Sequence, residues 1–575
     1  MRTRTVAVLG LLGTALAAQA SAEELSIRFE DVTARTGISF SPTHGTPRRD
    51  YLCEINGSGV ALFDADGDGD LDIHFPNGAK IEPEPGDQIV PRDALYRNDG
   101  GWRFRDVTAE SGLGDSEWSF ASVAADVDND GDQDLFVANL GADALYLNQG
   151  RGQFRRAEGS GVEDTGWSAG ATFLDANRDG LLDLFVTRYL VFDRAATPRR
   201  GDDPRRTYKG FPTFAGPAGL PAARCSLYVN AGGGRFREES HAWGLLDLPP
   251  SPSLGVLALD ANRDGWPDLF VANDTQANFL LLNESGRRFL DAGLFLGVAY
   301  NESGTPQASM GVAAGDARNV GRDDLVVTNY EDDTNAYHRA EADGSFTDLS
   351  WASGIGESSY RALGWGVFFF DADLDGRLDL FVANGHLHPD ADRMRSSPGW
   401  GQRCHLFLGD GAGRFGEVGE RAGEALGVKR SWRGAACGDL DGDGDADVVV
   451  TALDARVLLL ENRGRGVDGR PEAAWVAVGL RGTRSNRDAI GARVFLQAGG
   501  VTRSHLVRSG SGYASQNEVA ARFGLGALDR IEALVVEWPS GLREEFPQPR
   551  LRSVTTLEEG RGRASPAPRP EESRR

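Results

Sequence analysis

Short apolar stretches recur along the chain in a fixed order, separated by polar turns rich in Asp and Gly. In a typical unit one apolar run precedes a polar loop and a second follows it, as at residues 60–63 and 71–75. A Leu-Tyr pair or its like comes next, and a segment centred on a Phe such as Phe104 ends the unit after a Gly-rich turn. Four short strands per unit at this spacing predict a β-propeller blade.

The loop between the first two strands has a nearly constant form in seven places. An Asp opens nine residues and a Gly holds the sixth position. Oxygen atoms at positions 1, 3, 5 and 9, with the backbone carbonyl of position 7, form a cage suited to calcium. An ordinary Asp-Gly turn needs one Asp and one Gly, so it does not account for oxygen donors at four positions. The loops begin at Asp64, Asp126, Asp175, Asp260, Asp316, Asp371 and Asp439.

Six of these loops predict calcium sites, about six ions in all. Each supplies side-chain oxygen at positions 1, 3, 5 and 9, and a backbone carbonyl at position 7. The predicted ligands are Asp64, Asp66, Asp68, Asp70 and Asp72; Asp126, Asp128, Asp130, Asp132 and Asp134; Asp175, Asn177, Asp179, Leu181 and Asp183; Asp260, Asn262, Asp264, Trp266 and Asp268; Asp371, Asp373, Asp375, Arg377 and Asp379; and Asp439, Asp441, Asp443, Asp445 and Asp447.

The fifth loop departs from this pattern. It opens with Asp316 and keeps Gly321 and Asp324, but Arg318 and Val320 replace two of the oxygen donors. We therefore interpret the turn as an architectural requirement and the metal as an addition to it. The fifth loop is predicted to hold no ion.

The number of units predicts a ring of seven blades. The seventh unit lacks a Phe strand after its third strand, whereas residues 29–33 near the N-terminus repeat the text of residues 104–108 almost letter for letter. The N-terminal strand is therefore predicted to complete the last blade, which hides edges that an open ring exposes. The expected fold is all-β: a seven-bladed β-propeller closed by the N-terminal strand, followed by a small β-sandwich-like domain.

Charge and targeting signals limit the possible partners. The formal net charge of −24 argues against nucleic acid as a partner, because phosphates need neutralising cations. Residues 1–22 read as a secretory signal peptide, with Arg2 and Arg4 before an apolar run that ends in small residues. No apolar run is long enough for a transmembrane helix. The protein is therefore expected to be secreted or periplasmic.

The cysteines and two insertions leave alternatives open. Four cysteines permit three disulfide pairings or free thiols: Cys53, Cys225, Cys404 and Cys437. The insertion at 193–224 contains an Arg-Gly-Asp tripeptide, for which coincidence is the better explanation. A second insertion at 385–403 contains His386, His388 and Trp400. Paired histidines suit a transition metal, but a simple hydrogen-bonding role is more common.

The last hundred residues lack aspartate loops and predict a separate β-domain. Residues 486–493, 509–516 and 538–541 read Asn-Arg-Asp-Ala-Ile-Gly-Ala-Arg, Ser-Gly-Ser-Gly-Tyr-Ala-Ser-Gln and Trp-Pro-Ser-Gly. These strings resemble the ASPIC/UnbV domain, which follows FG-GAP/VCBS-type repeats in the cartilage acidic protein family. The repeats alone also resemble integrin α-subunit heads. The expected domains are a propeller at 23–465, an ASPIC/UnbV-like domain at 466–560 and a disordered tail at 561–575.

The resemblance implies a secreted calcium-binding protein and says little about chemistry. We favour a module that binds a protein or a glycan, with no catalytic residues assigned. The alternative is an enzyme, or an accessory protein of a secreted biosynthetic pathway, with a site at the propeller axis or at the domain junction. No Ser-His-Asp, Cys-His or phosphate-binding signature supports it. Residues 509–516 are either a polar active-site loop or, more simply, a turn that packs the small domain on the propeller.

Overall fold

The computed structural model describes residues 25, 27–81, 91–453, 455–464 and 473–565. Within this part the chain is dominated by short antiparallel strands, and the predicted all-β class is confirmed. The helices span four or five residues each: Cys53–Asn56, Thr108–Ser111, Gly293–Leu296 and Ile355–Ser359. Four single 3₁₀ turns lie at Thr33–Arg35, Leu245–Asp247, Ala391–Arg393 and Glu424–Gly427.

The described part of the repeat region contains thirty strands, numbered here in chain order. They are β1 (Phe29–Asp31), β2 (Ala61–Phe63), β3 (Asp72–Phe75), β4 (Ala94–Asn98), β5 (Phe104–Asp106), β6 (Trp118–Ala125), β7 (Asp134–Ala142), β8 (Ala144–Asn148), β9 (Phe154–Arg156), β10 (Thr165–Leu174), β11 (Asp183–Arg188), β12 (Thr207–Tyr208), β13 (Phe211–Pro212), β14 (Ser226–Asn230), β15 (Phe236–Glu238), β16 (Ser253–Leu259), β17 (Asp268–Asn273), β18 (Phe279–Asn283), β19 (Phe289–Asp291), β20 (Val312–Gly315), β21 (Asp324–Val327), β22 (Ala336–Ala340), β23 (Phe346–Asp348), β24 (Gly364–Phe370), β25 (Asp379–Asn384), β26 (His405–Gly409), β27 (Phe415–Glu417), β28 (Trp432–Gly438), β29 (Asp447–Ala452) and β30 (Leu458–Asn462).

These strands form repeated antiparallel groups of four, each with an aspartate loop between its first and second strands. The groups are β2–β5, β6–β9, β10 with β11, β14 and β15, then β16–β19, β20–β23, β24–β27, and β28–β30 with β1. Strand β10 also pairs with β7, which joins the second and third groups into one sheet. The hairpin β12–β13 lies inside the insertion at 193–224.

Burial explains why the first strand of a group reads as a continuous apolar run. All residues of β6, β16 and β28 are buried, whereas outer strands such as β5 bury only their Phe. A strand covered on both faces carries mostly apolar residues. First strands lie beside one another in chain order from β2 to β28, and β28 also lies beside β2.

The N-terminal strand belongs to the last group. Strand β1 pairs antiparallel with β30, with Phe29 opposite Asn462 and Asp31 opposite Leu460. Phe29 is buried among side chains of the sixth and seventh groups, including Phe370. The repeat of residues 29–33 and 104–108 therefore marks strands in equivalent positions.

The C-terminal region folds into two further sheets. Its strands are β31 (Ala474–Arg481), β32 (Arg493–Ala498), β33 (Val501–Leu506), β34 (Ala521–Gly526), β35 (Ala533–Glu537), β36 (Arg543–Phe546), β37 (Ser553–Glu558) and β38 (Arg563–Ala564). The sheet orders are β34-β31-β37 and β33-β32-β35-β36-β38, with Val476, Val494, Leu534 and Trp538 in the shared core. Strand β38 pairs with β36, so residues 561–565 are ordered, contrary to the predicted tail. Residues 566–575 lie outside the described residues.

A segment of the C-terminal domain, residues 509–518, runs among the first strands of the repeat groups. Gly512 exchanges two backbone hydrogen bonds with Val312 of β20. The Gln516 side chain bonds both the N–H and the carbonyl of Ala124 in β6, at 3.0 and 3.2 Å. The Tyr513 ring packs on Trp365 of β24, and the Tyr513 hydroxyl donates to the Asn56 carbonyl. Here the Gly/Ser-rich string is a packing element.

The structure also describes the cysteines and the helices that could span a membrane. All four cysteines are free thiols, and three of them are buried. Among the described residues no helix is both long and apolar enough to span a membrane. The predicted signal peptide, residues 1–22, lies outside the described residues.

Candidate metal centres in the aspartate loops

The aspartate loops share one turn. In the first loop the Asp64 carboxylate accepts the N–H of Gly69 at 3.0 Å, and the same bond recurs between positions 1 and 6 in the second to sixth loops. In the seventh loop Asp439 instead accepts the N–H of Gly442. The sixth-position glycines have φ between +73° and +106°, a region that favours Gly. The fifth loop has this turn as well, so the turn does not depend on the metal ligands.

In four loops the structure brings together the carboxylates of positions 1, 3 and 9. One oxygen from each lies within 4.8 Å of the other two. Among the described residues these are the acidic groups with metal-binding spacing: Asp64, Asp66 and Asp72; Asp126, Asp128 and Asp134; Asp371, Asp373 and Asp379; and Asp439, Asp441 and Asp447.

The other predicted ligands are placed differently. In the third and fourth loops the position-3 carboxamide donates to the position-5 carboxylate, Asn177 to Asp179 and Asn262 to Asp264. With Asn at position 3, these two loops have only two carboxylates among positions 1, 3 and 9. The position-5 carboxylates accept the N–H of position 7 in all six loops, as Asp68 does from Asp70 at 2.9 Å. The structure thus groups positions 1, 3 and 9, and uses position 5 to close the turn.

The position-9 carboxylate links its loop to the sheet. Asp72 accepts the N–H of Ala65 in the loop at 3.0 Å and the N–H of Asn98 in β4 at 2.7 Å. The same pair of bonds holds Asp134, Asp183, Asp268, Asp379 and Asp447. The position-9 residue is therefore needed for the fold whether or not an ion binds.

Electrostatics favour a cation at these loops. Burial raises the pKa of Asp72 to about 8, against two backbone hydrogen bonds that lower it. Burial, with the nearby charge of Asp488, raises the pKa of Asp126 to about 7. Such shifts mark carboxylates whose charge lacks compensation. Carboxylate oxygen is a hard donor that suits calcium or magnesium, so the residues present fit a divalent cation.

The fifth loop supplies its own cation. The Arg318 guanidinium donates two hydrogen bonds to the Asp324 carboxylate, at 2.8 and 2.9 Å, and a third to the Ala340 carbonyl at 2.6 Å. The Tyr337 hydroxyl donates to Asp324 at 2.7 Å. A guanidinium from position 3 thus satisfies the position-9 carboxylate without an ion.

An asparagine two residues past the Leu-Tyr pair connects neighbouring loops, and sequence reasoning missed it. Asn148 of the second group donates from Nδ2 to the Ala65 carbonyl in the first loop at 2.8 Å. Asn98, Asn230, Asn283 and Asn462 make the equivalent bond to the preceding group's loop. Their constant spacing from the apolar pair is visible in the sequence. The role of this Asn is apparent only from the hydrogen bond that it donates to the loop of the preceding group.

Comparisons with known proteins agree with this architecture. A family profile described as "FG-GAP-like repeat" matches residues 90–137, 126–186 and 397–450. A profile described as "ASPIC and UnbV" matches residues 482–564. The chain carries FG-GAP-like repeats and an ASPIC/UnbV domain. The predicted resemblance is confirmed.

Cartilage acidic protein 1 is similar to this chain. The Xenopus tropicalis protein is 29% identical over 282 residues, which cover 48% of this chain and 40% of that protein. The Mus musculus protein is 28% identical over the same length, with the same coverage. The match therefore spans less than half of the curated relatives, and their whole-protein activities do not transfer.

Two solved structures have a weak similarity to this chain. An Agrocybe aegerita lectin that recognises non-reducing terminal N-acetylglucosamine has a TM-score of 0.38 at 15% identity, over 72% of this chain and 96% of the lectin. The rhamnogalacturonan lyase YesW has a TM-score of 0.35 at 11% identity, over 76% and 75%. Similarity at this level says nothing about function.

The ASPIC/UnbV domain contacts the aspartate loops of the FG-GAP-like repeats. Its Asp488 carboxylate accepts the N–H of Asp126 at 2.8 Å, and its Gly524 N–H donates to Asp371 at 3.0 Å. Its Arg493 and Arg508 bind Asp323, at position 8 of the fifth loop, at 3.0 and 2.8 Å. A cavity of about 330 Å³ remains between this domain and the third and fourth loops.

The paired histidines hydrogen-bond to protein groups. The His386 Nε2 atom lies 3.1 Å from a Glu331 oxygen, and His386 Nδ1 accepts the N–H of His388 at 2.8 Å. Tyr208 from the insertion also donates to Glu331, at 2.7 Å. In the described part of the chain the histidines join no group of three metal-binding side chains. The hydrogen-bonding interpretation accounts for His386.

Proposed function

We propose that this protein is a calcium-binding β-propeller that acts as an interaction module for a protein or a glycan. The observation that carries the proposal is the set of four carboxylate triplets in equivalent loops. Each of these loops is bonded to the sheet through its position-9 Asp, and each also accepts an Asn Nδ2 bond from the next group. An ion at such a loop holds two strands of one blade together, so calcium is structural here.

Calcium measurements test this proposal directly. Elemental analysis should find at least four ions per chain, one for each triplet, and six if the Asn-containing loops also bind. Chelation should lower the melting temperature, because an ion at 100 times its Kd stabilises the folded state by about 2.7 kcal/mol per site. A chain free of bound metal, with a melting temperature unaffected by chelator, would show that the loops are plain turns.

The propeller is proposed to close into a ring of seven blades, spanning 23–465. Pairing of β1 with β30, and the bond from Asn98 Nδ2 to the Leu440 carbonyl of the seventh loop at 2.9 Å, support closure. Removing residues up to Thr33 should expose β30 as an edge strand and promote aggregation. A truncated protein that stays monomeric and equally stable argues against closure at this strand.

Binding is proposed in preference to catalysis. Most clustered carboxylates lie in the aspartate loops. Residues 509–518 lie among the first strands, so they occupy space that an active site on the propeller axis would need. Partners should be recovered from the native secretome in the presence of calcium and lost on chelation. Turnover on ester, peptide, glycoside or phosphate substrates that Tyr513→Phe or Gln516→Ala abolishes would instead favour an enzyme.

Export is proposed from the N-terminal pattern of residues 1–22. Calcium loops suit a compartment where the ion is plentiful. N-terminal sequencing of the mature protein from the periplasm or medium should begin at Glu23. Recovery of the intact chain from the cytoplasm alone would contradict export.

A further inference from the structure

A cluster of polar side chains is buried between the first and second groups, outside the aspartate loops. Four of its atoms have no hydrogen-bond partner within the described residues: His74 Nε2, Asp93 Oδ2, Ser119 Oγ and Asn139 Oδ1. Each of these residues is at most 1% exposed. A buried polar atom left unpaired is costly, so the cluster lacks a partner that the described side chains do not supply.

The cluster also contains a second carboxylate, that of Asp115, which is 3% exposed. Asp115 Oδ2 lies 3.5 Å from Asn139 Nδ2. Burial and the nearby charge of Asp115 raise the pKa of Asp93 well above its usual range. Within the described residues no Arg or Lys forms a salt bridge with either carboxylate, and the basic atom beside them is His74 Nε2, 3.9 Å from Asp93 Oδ2.

The second and third groups meet in a similar cluster, and that cluster contains a cation. Arg188 Nη2 lies 3.3 Å from Asp143 Oδ2 and 3.0 Å from Asp164 Oδ2. Arg188 Nη1 donates to the Ser168 hydroxyl at 3.0 Å, and Ser168 donates to Asp143 at 2.8 Å. One guanidinium thus neutralises two carboxylates, and no buried polar atom of these four side chains is left unpaired.

The two clusters correspond residue by residue. Their equivalent residues are Asp93 and Asp143, Asp115 and Asp164, Ser119 and Ser168, and Asn139 and Arg188. The carboxylates and the hydroxyl are the same in both, but a short neutral amide stands in the first cluster where the second has a guanidinium. The two carboxylates of the first cluster therefore lack the counter-charge that their equivalents have.

A second difference accompanies the missing guanidinium. His74 in β3 takes the position that Phe136 has in β7, and Ser122 in β6 takes the position that Ala171 has in β10. His74 Nδ1 lies 3.0 Å from the Ser122 hydroxyl. With Nδ1–H donating to Ser122, Nε2 presents its lone pair beside Asp93. A histidine that binds a metal is commonly held in this way by a hydrogen bond from its other ring nitrogen.

We propose that a divalent transition-metal ion of the zinc class binds in this cluster, with His74 Nε2 and Asp93 Oδ2 as ligands and Asp115 as a balancing charge. The two ligand atoms are 3.9 Å apart, so one ion with bonds of about 2.0–2.2 Å can contact both. Imidazole combined with carboxylate suits such an ion, whereas calcium takes oxygen ligands. The three groups are spread more widely than the loop triplets, and water completes the coordination.

A buried water molecule is the alternative occupant. Water would pair the unpartnered atoms, but it would leave the charges of Asp93 and Asp115 without compensation. The equivalent cluster uses a cation at this place, which favours an ion over water alone. The site goes beyond the proposed calcium function, because it joins two neighbouring groups without using an aspartate loop.

Metal analysis of the full chain in excess calcium tests the proposal, with Zn²⁺ as the probe. The chain is produced with Zn²⁺ in the medium and then dialysed against calcium without zinc. We expect one zinc ion per chain. A chelator that prefers zinc to calcium should remove this ion and lower the melting temperature, because the ion binds the folded state.

Matched substitutions in the two clusters locate the ion. Asp115→Asn should weaken zinc binding at least about tenfold, whereas Asp164→Asn, the same change beside Arg188, should leave one zinc ion per chain. Ser122→Ala should weaken zinc binding about ten- to a hundred-fold, because it removes the hydrogen bond that orients His74. Calorimetric titration with Zn²⁺ in excess calcium measures these affinities.

Asn139→Arg supplies the first cluster with the guanidinium of the second. This variant should bind no zinc at the cluster, and its melting temperature should not respond to the zinc chelator. His74→Phe, which introduces the residue of the second group, replaces Asn139→Arg if that chain does not fold. It should also bind no zinc.

Four results would overturn the proposal: a wild-type chain that takes up no zinc, an equal loss of zinc in Asp115→Asn and Asp164→Asn, one zinc ion retained in both Asn139→Arg and His74→Phe, or a calcium ion in place of zinc that Asp115→Asn removes. Failure here is distinguishable from failure of the proposed function, because zinc and calcium are counted separately. A chain that binds calcium in its loops but no zinc loses only this site.

Discussion

The first and fifth aspartate loops adopt the same turn but neutralise their carboxylates differently. In the first loop Asp64, Asp66 and Asp72 bring three carboxylate oxygens within 4.8 Å of one another. In the fifth loop Arg318 occupies position 3 and donates two hydrogen bonds to Asp324. The position-1 carboxylate accepts the Gly N–H in both loops.

This comparison separates two requirements that the repeated sequence merges. The turn needs an Asp that accepts backbone N–H groups and a Gly with positive φ, and both loops supply them. The buried position-9 carboxylate needs a cation, which is a guanidinium in the fifth loop and, on our proposal, calcium in the first. In the fifth loop, the guanidinium of Arg318 thus takes the place that we propose for an exchangeable calcium ion in the first loop.

Removing the attached cation should have the largest effect. Arg318→Leu leaves the fully buried Asp324 carboxylate without its ion pair, and breaking such a pair costs about 3–5 kcal/mol. Urea unfolding should show this loss equally with calcium and with chelator. Arg339→Leu is the control, because its pair with Glu341 is partly exposed and is worth about 1 kcal/mol or less. Equal losses in the two variants would contradict the role assigned to Arg318.

The sequence predicted features that depend on neighbouring residues. Strand order within a unit, the Gly turn and the exceptional fifth loop all follow from local patterns such as Asp316 to Asp324. The role of position 5 as a ligand stays a prediction: one oxygen of Asp68 accepts the N–H of Asp70, and Asp68 lies outside the triplet. The sequence shows which side chains carry oxygen atoms, but it does not show which of those oxygens accept a backbone N–H in the turn.

Features that join distant parts of the chain were not predictable. The bond from Asn98 to Leu440 spans 342 residues, and Gln516 reaches Ala124 across 392. The cluster of His74, Asp93 and Asn139 requires the first and second groups to pack together. Such contacts depend on how the blades are arranged, and no local period encodes them.

Unfolding at acid pH depends on buried histidines that lie outside both loops. Burial lowers the pKa of His44 to about 3 and those of His388 and His405 to about 4. At these histidines the unfolded state binds more protons than the folded state below pH 6.5, so their contribution to stability is present above pH 6.5 and is lost as pH falls towards 4. Each histidine should cost about 1 kcal/mol at pH 5.5.

The acid effect should be equal in the wild type and in Arg318→Leu. Denaturant unfolding at pH 7.5 and 5.5, in excess calcium, measures it. His405→Gln should reduce the loss, whereas His241→Gln should not, because His241 is exposed. A stability that is flat between these pH values would show that the buried histidines do not control acid unfolding.

Removing a single triplet carboxylate should have a smaller effect than replacing Arg318. Asp66→Ala should lower the calcium count by one ion and cost about 2–3 kcal/mol at saturating calcium. Asp316→Ala should leave the calcium count unchanged, although it loses the bonds from Gly321 and Ser504. Isothermal titration gives the counts. Loss of one ion from both variants would erase the distinction between the loops.

The smallest effect is expected from converting the fifth loop into a metal loop. Arg318→Asp with Val320→Asp restores carboxylates at positions 3 and 5, and the chain should then bind one more calcium ion than the wild type. The new site should be weak, because Ser504 already bonds one Asp316 oxygen at 2.8 Å and the sixth group has Gly409 where five of the groups have the Asn that bonds the preceding loop. In chelator the double variant should be as unstable as Arg318→Leu, and calcium should recover part of that loss. A calcium count equal to that of the wild type would mean that the turn and its carboxylates do not suffice, and that the linking asparagine is part of the site.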